Sequence, residues 1–236
     1  MGNCCENKET MPNDDFMPGS HTELMVPNYN MEKQNVVSSQ AEITLGESPN
    51  YVTDLEINPD SFYTGDFAEG KANGKGTLKT AKFTYTGDFV NGRPSGNGLL
   101  RYENGSEYEG DFVNGNCHGL GRFTEKDDFV YKGEFQNNRF HGKGVCRWNN
   151  GSLYQGEFFK GKFNGEGNYT YKDKKVFRGN YVNGMKHGEG AITFPGKTEV
   201  FKSVWKNGVM VGPSFLIIDG KEVEMKIGEE EMFGQI

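Results

Sequence analysis

The residues of this chain best suited to chemistry are few and evenly placed. His118, His141 and His187 each stand directly before a glycine (Gly119, Gly142, Gly188) and occupy one repeating position. Recurring histidines are where a metal site is sought first. Zinc holds imidazole nitrogens at ~2.0–2.1 Å, whereas equivalent positions in successive two-stranded units lie about 10 Å apart, so these three cannot share an ion. Gly74-Lys-Gly76 and Gly142-Lys-Gly144 have the glycine spacing of a phosphate loop. They lack the Gly-Lys-Ser/Thr ending and the strand-to-helix setting that such a loop needs. Cys4, Cys5, Cys117 and Cys146 are too few and too unevenly spaced for a disulfide framework, and Cys146 falls in an apolar slot that predicts burial. No Ser/His/Asp or Cys/His set emerges. The expectation is therefore no catalytic residue, no metal and no cofactor. Recognition is left to the aromatic residues, 18 Phe, 11 Tyr and 2 Trp in 236 residues.

What must position those rings is a repeat. From Tyr63 the chain reads Tyr-x-Gly-x-Phe-x-x-Gly-x-x-x-Gly-x-Gly, and the same template restarts at Tyr85, Tyr108, Tyr131, Tyr154 and Phe177. A degraded seventh copy starts at Phe201, where Ser203 and Ser214 replace glycines. Of the 26 glycines in 63–200, 23 fall on template positions, which chance does not produce. Counting the first aromatic as position zero, positions zero, two and four share one face of a strand, since alternate side chains point the same way. Asn91-Gly92, Asn114-Gly115 and Asn183-Gly184 follow as hairpin turns, both residues tolerating positive φ. The return strand carries an apolar residue at position fifteen (Leu78, Leu100, Phe123, Cys146, Tyr169, Ile192) and mostly aromatics at seventeen. Each unit is thus predicted to be a β-hairpin. One hairpin is marginal in water, so stability must come from neighbours. The predicted fold is all-β: a single elongated antiparallel sheet of stacked hairpins, with the glycines leaving room for a neighbouring strand's ring over bare backbone.

The template resembles the MORN (membrane occupation and recognition nexus) repeat over residues 63 to about 214. It departs mildly at Asn138, in place of a turn glycine, and at Phe177 and Tyr181. The resemblance implies a twisted, grooved sheet that serves as an interaction surface, as in membrane-associated scaffolds and in ciliary and cytoskeletal proteins. It also implies partner peptides, myosin tails among them, held along an aromatic groove. Relatives carry kinase or methyltransferase domains. The 62 residues before this array and the roughly 22 after it leave no room for either, so no enzyme is expected.

Three regions follow: a leader over 1–57, the array over 58–214, and a closing hairpin with an acidic tail over 215–236. Residues 1–62 hold 11 Asp/Glu and 2 Lys, and this charge with low hydrophobicity predicts disorder for most of the leader. Its scattered apolar residues from Val36 to Ile57 are able to pair with the first hairpin. Met1-Gly2-Asn3-Cys4-Cys5 resembles the start of a dually acylated protein, with myristate on Gly2 and palmitate on Cys4 and Cys5. Glu6 stands where Ser or Thr is usual, and Lys8 is the sole cation of the first 32 residues. No apolar run approaches a membrane-spanning length and no secretory signal precedes the leader, so a cytoplasmic-side location is expected. The overall net charge of −7 and the mildly basic middle do not suit nucleic acid.

The two ring ladders, Tyr63, Phe67, Tyr85, Phe89, Tyr108, Phe112, Tyr131, Phe135, Tyr154, Phe158, Phe177 and Tyr181, have no second layer to cover them in a one-layer sheet. Uncovered apolar faces mark binding sites. The favoured reading is a non-catalytic, membrane-tethered adaptor that takes an extended or helical protein segment, from a motor or cytoskeletal partner for instance, in this groove. Two alternatives stand open. One is direct binding of anionic phospholipid by Lys71, Lys75, Lys79, Lys82, Lys126, Lys132, Lys160, Lys162, Lys172, Lys174 and Lys175. The other is a structural ciliary or cytoskeletal component. Homodimer formation is open as well.

Overall fold

The computed structural model describes residues 50–225, which form 17 strands and no helix. They are β1 (Tyr51–Asn58), β2 (Ser61–Ala68), β3 (Lys71–Lys79), β4 (Phe83–Val90), β5 (Arg93–Tyr102), β6 (Glu107–Val113), β7 (Asn116–Glu125), β8 (Phe129–Gln136) and β9 (Arg139–Trp148). There follow β10 (Leu153–Phe159), β11 (Lys162–Thr170), β12 (Val176–Val182), β13 (Met185–Thr193), β14 (Val200–Lys206), β15 (Val209–Met210), β16 (Ser214–Ile218) and β17 (Lys221–Met225). Each strand pairs antiparallel with the next in sequence, except that β14 pairs with both the short β15 and β16. The result is one open sheet in hairpin order. The sheet begins at Tyr51, seven residues before the expected array boundary, because residues 51–58 add β1 beside β2. β16 and β17 form a hairpin joined at Asp219-Gly220. The acidic tail, most of the leader and the acylation motif lie outside the described residues.

The template's positions become geometry in every unit. In β6 and β7, Tyr108 faces Phe123 and Gly110 faces Gly121, after which the register shifts so that Asp111 faces His118 and Phe112 faces Cys117. Gly119 and Leu120 are left without an opposite number, a bulge on the return strand. Gly119 takes φ +58°, and a β-carbon there would also lie 2.5 Å from the Asp111 carboxylate. The bulge frees the Leu120 N–H, which donates to Asp111 Oδ2 at 3.1 Å. Asp66 receives the Lys75 N–H and Glu134 the Lys143 N–H in the same way, each at 2.9 Å. Position three is acidic in five of six copies, Asp66, Asp88, Asp111, Glu134 and Glu157, and the bulge explains why.

The units are also stapled along their first turns. Gly92 N donates to Ala72 O, Gly115 N to Pro94 O, Asn138 N to Cys117 O, Gly161 N to Phe140 O, Gly184 N to Phe163 O and Gly208 N to Lys186 O, all within 2.8–3.0 Å. Asn138, the one non-glycine in copies one to six at this position, holds φ +65°. Its side chain adds two bonds, Oδ1 accepting from Cys117 N and Nδ2 donating to Asn116 Oδ1, each 2.7 Å. The departure from the template is thus compensated locally.

Candidate binding surface

One face of the sheet carries the rings and the glycines. In the fourth unit the Tyr131 ring lies flat over Gly133 and Gly144. A β-carbon on Gly144 would sit 2.5 Å from Tyr131 Cε2 and Oη, and one on Gly133 2.5 Å from Oη. The hydroxyl donates to Glu134 O at 2.9 Å. Tyr63, Tyr85, Tyr108 and Tyr154 repeat this bond to the carbonyls of Asp66, Asp88, Asp111 and Glu157 at 2.7–2.9 Å. The ring over the bare backbone of Gly144 comes from the neighbouring strand, as expected, and that strand is the partner within the same hairpin. The next hairpin supplies an edge-on ring: Phe89 to Tyr63 at 5.2 Å, Phe112 to Tyr85 at 4.9 Å, Phe135 to Tyr108 at 4.8 Å and Phe158 to Tyr131 at 5.0 Å. In the later units Tyr181 and Trp205 play that part toward Tyr154 and Phe177.

A further row, at position nine, packs against this ladder. Phe140 stacks on Tyr131 with centroids 3.8 Å apart, and Phe163 on Tyr154 at 3.7 Å. Earlier copies hold Ala72, Pro94 and Cys117 there, all buried. The sixth copy holds Lys186, whose ammonium lies 5.1 Å from the Phe177 ring centre and 5.3 Å from that of Tyr171. The row escaped the sequence reading because its residue types vary; the signal was only its fixed spacing.

These contacts change the status of the predicted groove. Tyr63, Tyr85, Phe89, Tyr108, Phe112, Tyr131, Phe135, Tyr154, Phe158, Phe177 and Tyr181 are buried, none more than 4% exposed, and only Phe67 is half-buried. The ladders are the core of the sheet. The expectation that their faces stand free is corrected: with no second layer, the rings cover one another and are consumed in folding. Burial pushes the Tyr63, Tyr85, Tyr131 and Tyr154 hydroxyls well above the ordinary tyrosine range, and the acid at position three adds to it. Burial likewise raises the Cys117 and Cys146 thiols. Both are free and buried, as Cys146 was expected to be.

The open part of this face is its rim beside the second turns. Tyr102, Tyr169, Tyr171 and Phe194 are partly buried there against the core. At position seventeen, Tyr102, Glu125, Trp148 and Tyr171 follow one another from unit to unit. Tyr102 Oη and Trp148 Nε1 are shielded from solvent yet have no hydrogen-bond partner among the described residues. A buried donor left unmade costs about 1–3 kcal/mol.

His118, His141 and His187 lie beside the bulges, His141 against Phe159 with ring centres 5.3 Å apart. Among the described residues no group of three or more His, Cys, Asp or Glu is placed to hold a metal ion. Several of the lysines proposed for headgroups lie beside acids. Lys75 pairs with Asp88 at 2.5 Å. Lys132 and Lys143 border a shallow hollow of about 490 Å³ beside Glu157 and Glu166. Lys175 lies 3.7 Å from Asp173 and over Tyr171. Gly2, Cys4 and Cys5 lie outside the described residues.

The model of the MORN repeat family matches residues 63–82, 85–107, 108–125, 131–153, 154–176 and 177–198. No curated protein matches the chain. MORN repeats in general bind proteins or membranes, and they are typically not catalytic.

Proposed function

This chain belongs to the MORN repeat family, and on that premise we propose that it is a non-catalytic scaffold that holds a protein segment along the rim of its aromatic face while an acylated leader tethers it to a membrane. The supporting observation is the row at position seventeen. Tyr102 Oη and Trp148 Nε1 are desolvated without partners among the described residues, and they stand two units apart, about 20 Å, in a row where Trp148 is buried and Tyr102 and Tyr171 are half-buried. An extended or helical segment crossing the strands would offer backbone carbonyls to both donors and apolar side chains to the neighbouring rings. Glu125, between them, already accepts a bond from Ser106 Oγ at 2.6 Å and adds negative charge to the row.

The tether in this proposal is myristate on Gly2 with palmitate on Cys4 and Cys5, since one chain binds a bilayer marginally and a second makes the attachment stable. It places the scaffold on the cytoplasmic face and raises the partner's local concentration there. The test compares full-length wild type with Tyr102→Phe, which keeps its ring and removes the orphan hydroxyl, and Trp148→Phe, which removes the orphan N–H together with part of a buried ring. An unchanged or higher melting temperature for Tyr102→Phe, a lower one for Trp148→Phe, and a five- to tenfold weaker hold on co-purified partner by both support the proposal, matching one hydrogen bond of about 1–1.5 kcal/mol. Equal capture by all three proteins would overturn the rim as the docking surface. Gly2→Ala is expected to leave the membrane fraction.

A further inference from the structure

We propose that the edge of the sheet formed by the first turns is the docking site of this chain's own acidic leader, residues 1–49. That edge is a different surface from the aromatic rim. In copies two to seven its four turn positions read Val90-Asn-Gly-Arg93, Val113-Asn-Gly-Asn116, Gln136-Asn-Asn-Arg139, Phe159-Lys-Gly-Lys162, Val182-Asn-Gly-Met185 and Lys206-Asn-Gly-Val209. Five cations, Arg93, Arg139, Lys160, Lys162 and Lys206, and no carboxylate occupy these positions in a chain whose net charge is −7, while the first copy's turn, Ala68-Glu-Gly-Lys71, holds one acid and one cation. The second-turn edge, by contrast, mixes Glu103, Asp127 and Asp128 with Lys126, Lys172 and Lys174. Between the cations stand exposed apolar side chains, Val113 and Phe159 each 47% exposed. An all-polar edge would suffice for solubility, so cations in copies two, four, five and seven interspersed with apolar side chains in copies two, three, five, six and seven, at ~10 Å steps, describe a surface for something both acidic and apolar.

The leader has that composition and starts from that edge. Residues 1–49 hold eight Asp/Glu against two Lys, and their acids stand beside apolar residues in Asp14-Asp15-Phe16-Met17 and Glu23-Leu24-Met25-Val26. Asn50 O accepts from Phe67 N, and Tyr51 pairs with Asp66 near the end of β2 that leads into the first turn. The leader is therefore delivered beside the turns, not at the opposite edge. Forty-nine residues with coil dimensions would reach roughly 35–40 Å root-mean-square, enough to pass the second to fifth turns. Tethering gives it an effective concentration on the order of millimolar. Attraction between charges spaced at about one Debye length falls with salt.

The test is carbodiimide coupling of carboxylates to lysines in the full chain, mapped by mass spectrometry on an equal mixture of ¹⁵N-labelled and unlabelled protein. Leader carboxylates are expected to couple to Lys160 and Lys162, in the fifth turn, several times more than to Lys79, Lys126 and Lys172. The links should lie within one chain and fall at least threefold between 50 and 500 mM salt. Arg93→Glu with Lys160→Glu should lower coupling to Lys162 at least threefold with an unchanged circular dichroism spectrum. Equal yields at the two edges, mixed-isotope links or salt-insensitive yields would overturn the assignment. So would protection of Lys160 and Lys162 from acetylation by phosphatidylserine vesicles without any leader link, which would give the edge to a bilayer instead.

Discussion

Gly144→Ala isolates what the glycines of the template do. Gly144 sits in extended backbone, so alanine meets no conformational obstacle, and replacing glycine inside a strand should itself return about 0.5–1 kcal/mol. The obstacle is the Tyr131 ring. The new methyl would lie 2.5 Å from Cε2 and Oη and 2.7 Å from Cζ, against an optimum of about 3.5–4.0 Å. The ring must rise by roughly 1 Å, yet Phe140 is stacked on it with centroids 3.8 Å apart and a 13° tilt. Rising also breaks the bond to Glu134 O. Overpacking costs about 1–3 kcal/mol and the lost bond about 1 kcal/mol, so the net loss is on the order of 2–3 kcal/mol. Urea unfolding followed by circular dichroism, with and without Tyr131→Ala, measures it as a double-mutant cycle. Without the ring, Gly144→Ala should be neutral or slightly stabilising. Gly161→Ala is the control, with nothing within 4 Å of its β-carbon but φ +83°; it should cost about 1–2 kcal/mol and show no coupling to Tyr131. A coupling below about 0.5 kcal/mol between Gly144 and Tyr131 would refute the ring as the reason for the glycine.

At Asn138, glycine keeps the left-handed backbone but loses both side-chain bonds, and alanine loses the backbone as well. Thermal melts should rank wild type above Asn138→Gly by about 1–2 kcal/mol, and Asn138→Gly above Asn138→Ala by about another 1 kcal/mol. The ladder tyrosines have folded pKa values raised above the unfolded value near 10. Their contribution to stability is whole below that pH and is lost as pH climbs toward the folded values. Urea midpoints should therefore fall steeply above about pH 10, and phenolate absorbance should rise only with unfolding; early ionisation in the folded protein would contradict the burial. Cys117 and Cys146, raised by desolvation, should resist iodoacetamide in native buffer and react in urea, as read by peptide mass mapping.

The hairpin order was legible because glycine, tyrosine and phenylalanine each sit where only one residue type fits, so the repeat exposes the geometry. The acid at position three was equally regular, but a sequence cannot distinguish a solvated charge from one that accepts the N–H freed by a bulge, as Asp111 does for Leu120. Position nine was hidden because Ala72, Cys117, Phe140 and Lys186 share no chemistry, only a place beside a ring. The main misreading, that the ladders stand open, came from treating a one-layer sheet as having an uncovered face. Rings that lie flat on glycine backbone leave little height for a visitor, and edge-on neighbours close the gaps.

If the sheet spends its rings on itself, recognition must come from what varies between units, and the variation has a direction. Position nine is small in the first three copies (Ala72, Pro94, Cys117) and becomes a stacked ring at Phe140 and Phe163. Position seventeen changes in step, from Tyr102 and Glu125 to the buried Trp148. A segment lying across the strands would therefore meet a thin acidic stretch and then a thick aromatic one, with the change at the fourth unit. A uniform array would let such a segment slide by one hairpin, about 10 Å, at little cost. The step forbids that, because slipping would set the donor of Trp148 against groups chosen for Glu125. Exchanging the two, Glu125→Trp with Trp148→Glu, preserves composition and net charge. In the proposed reading it should abolish partner capture or shift the footprint of the partner by one unit, and an unmoved footprint would deny the step any part in register.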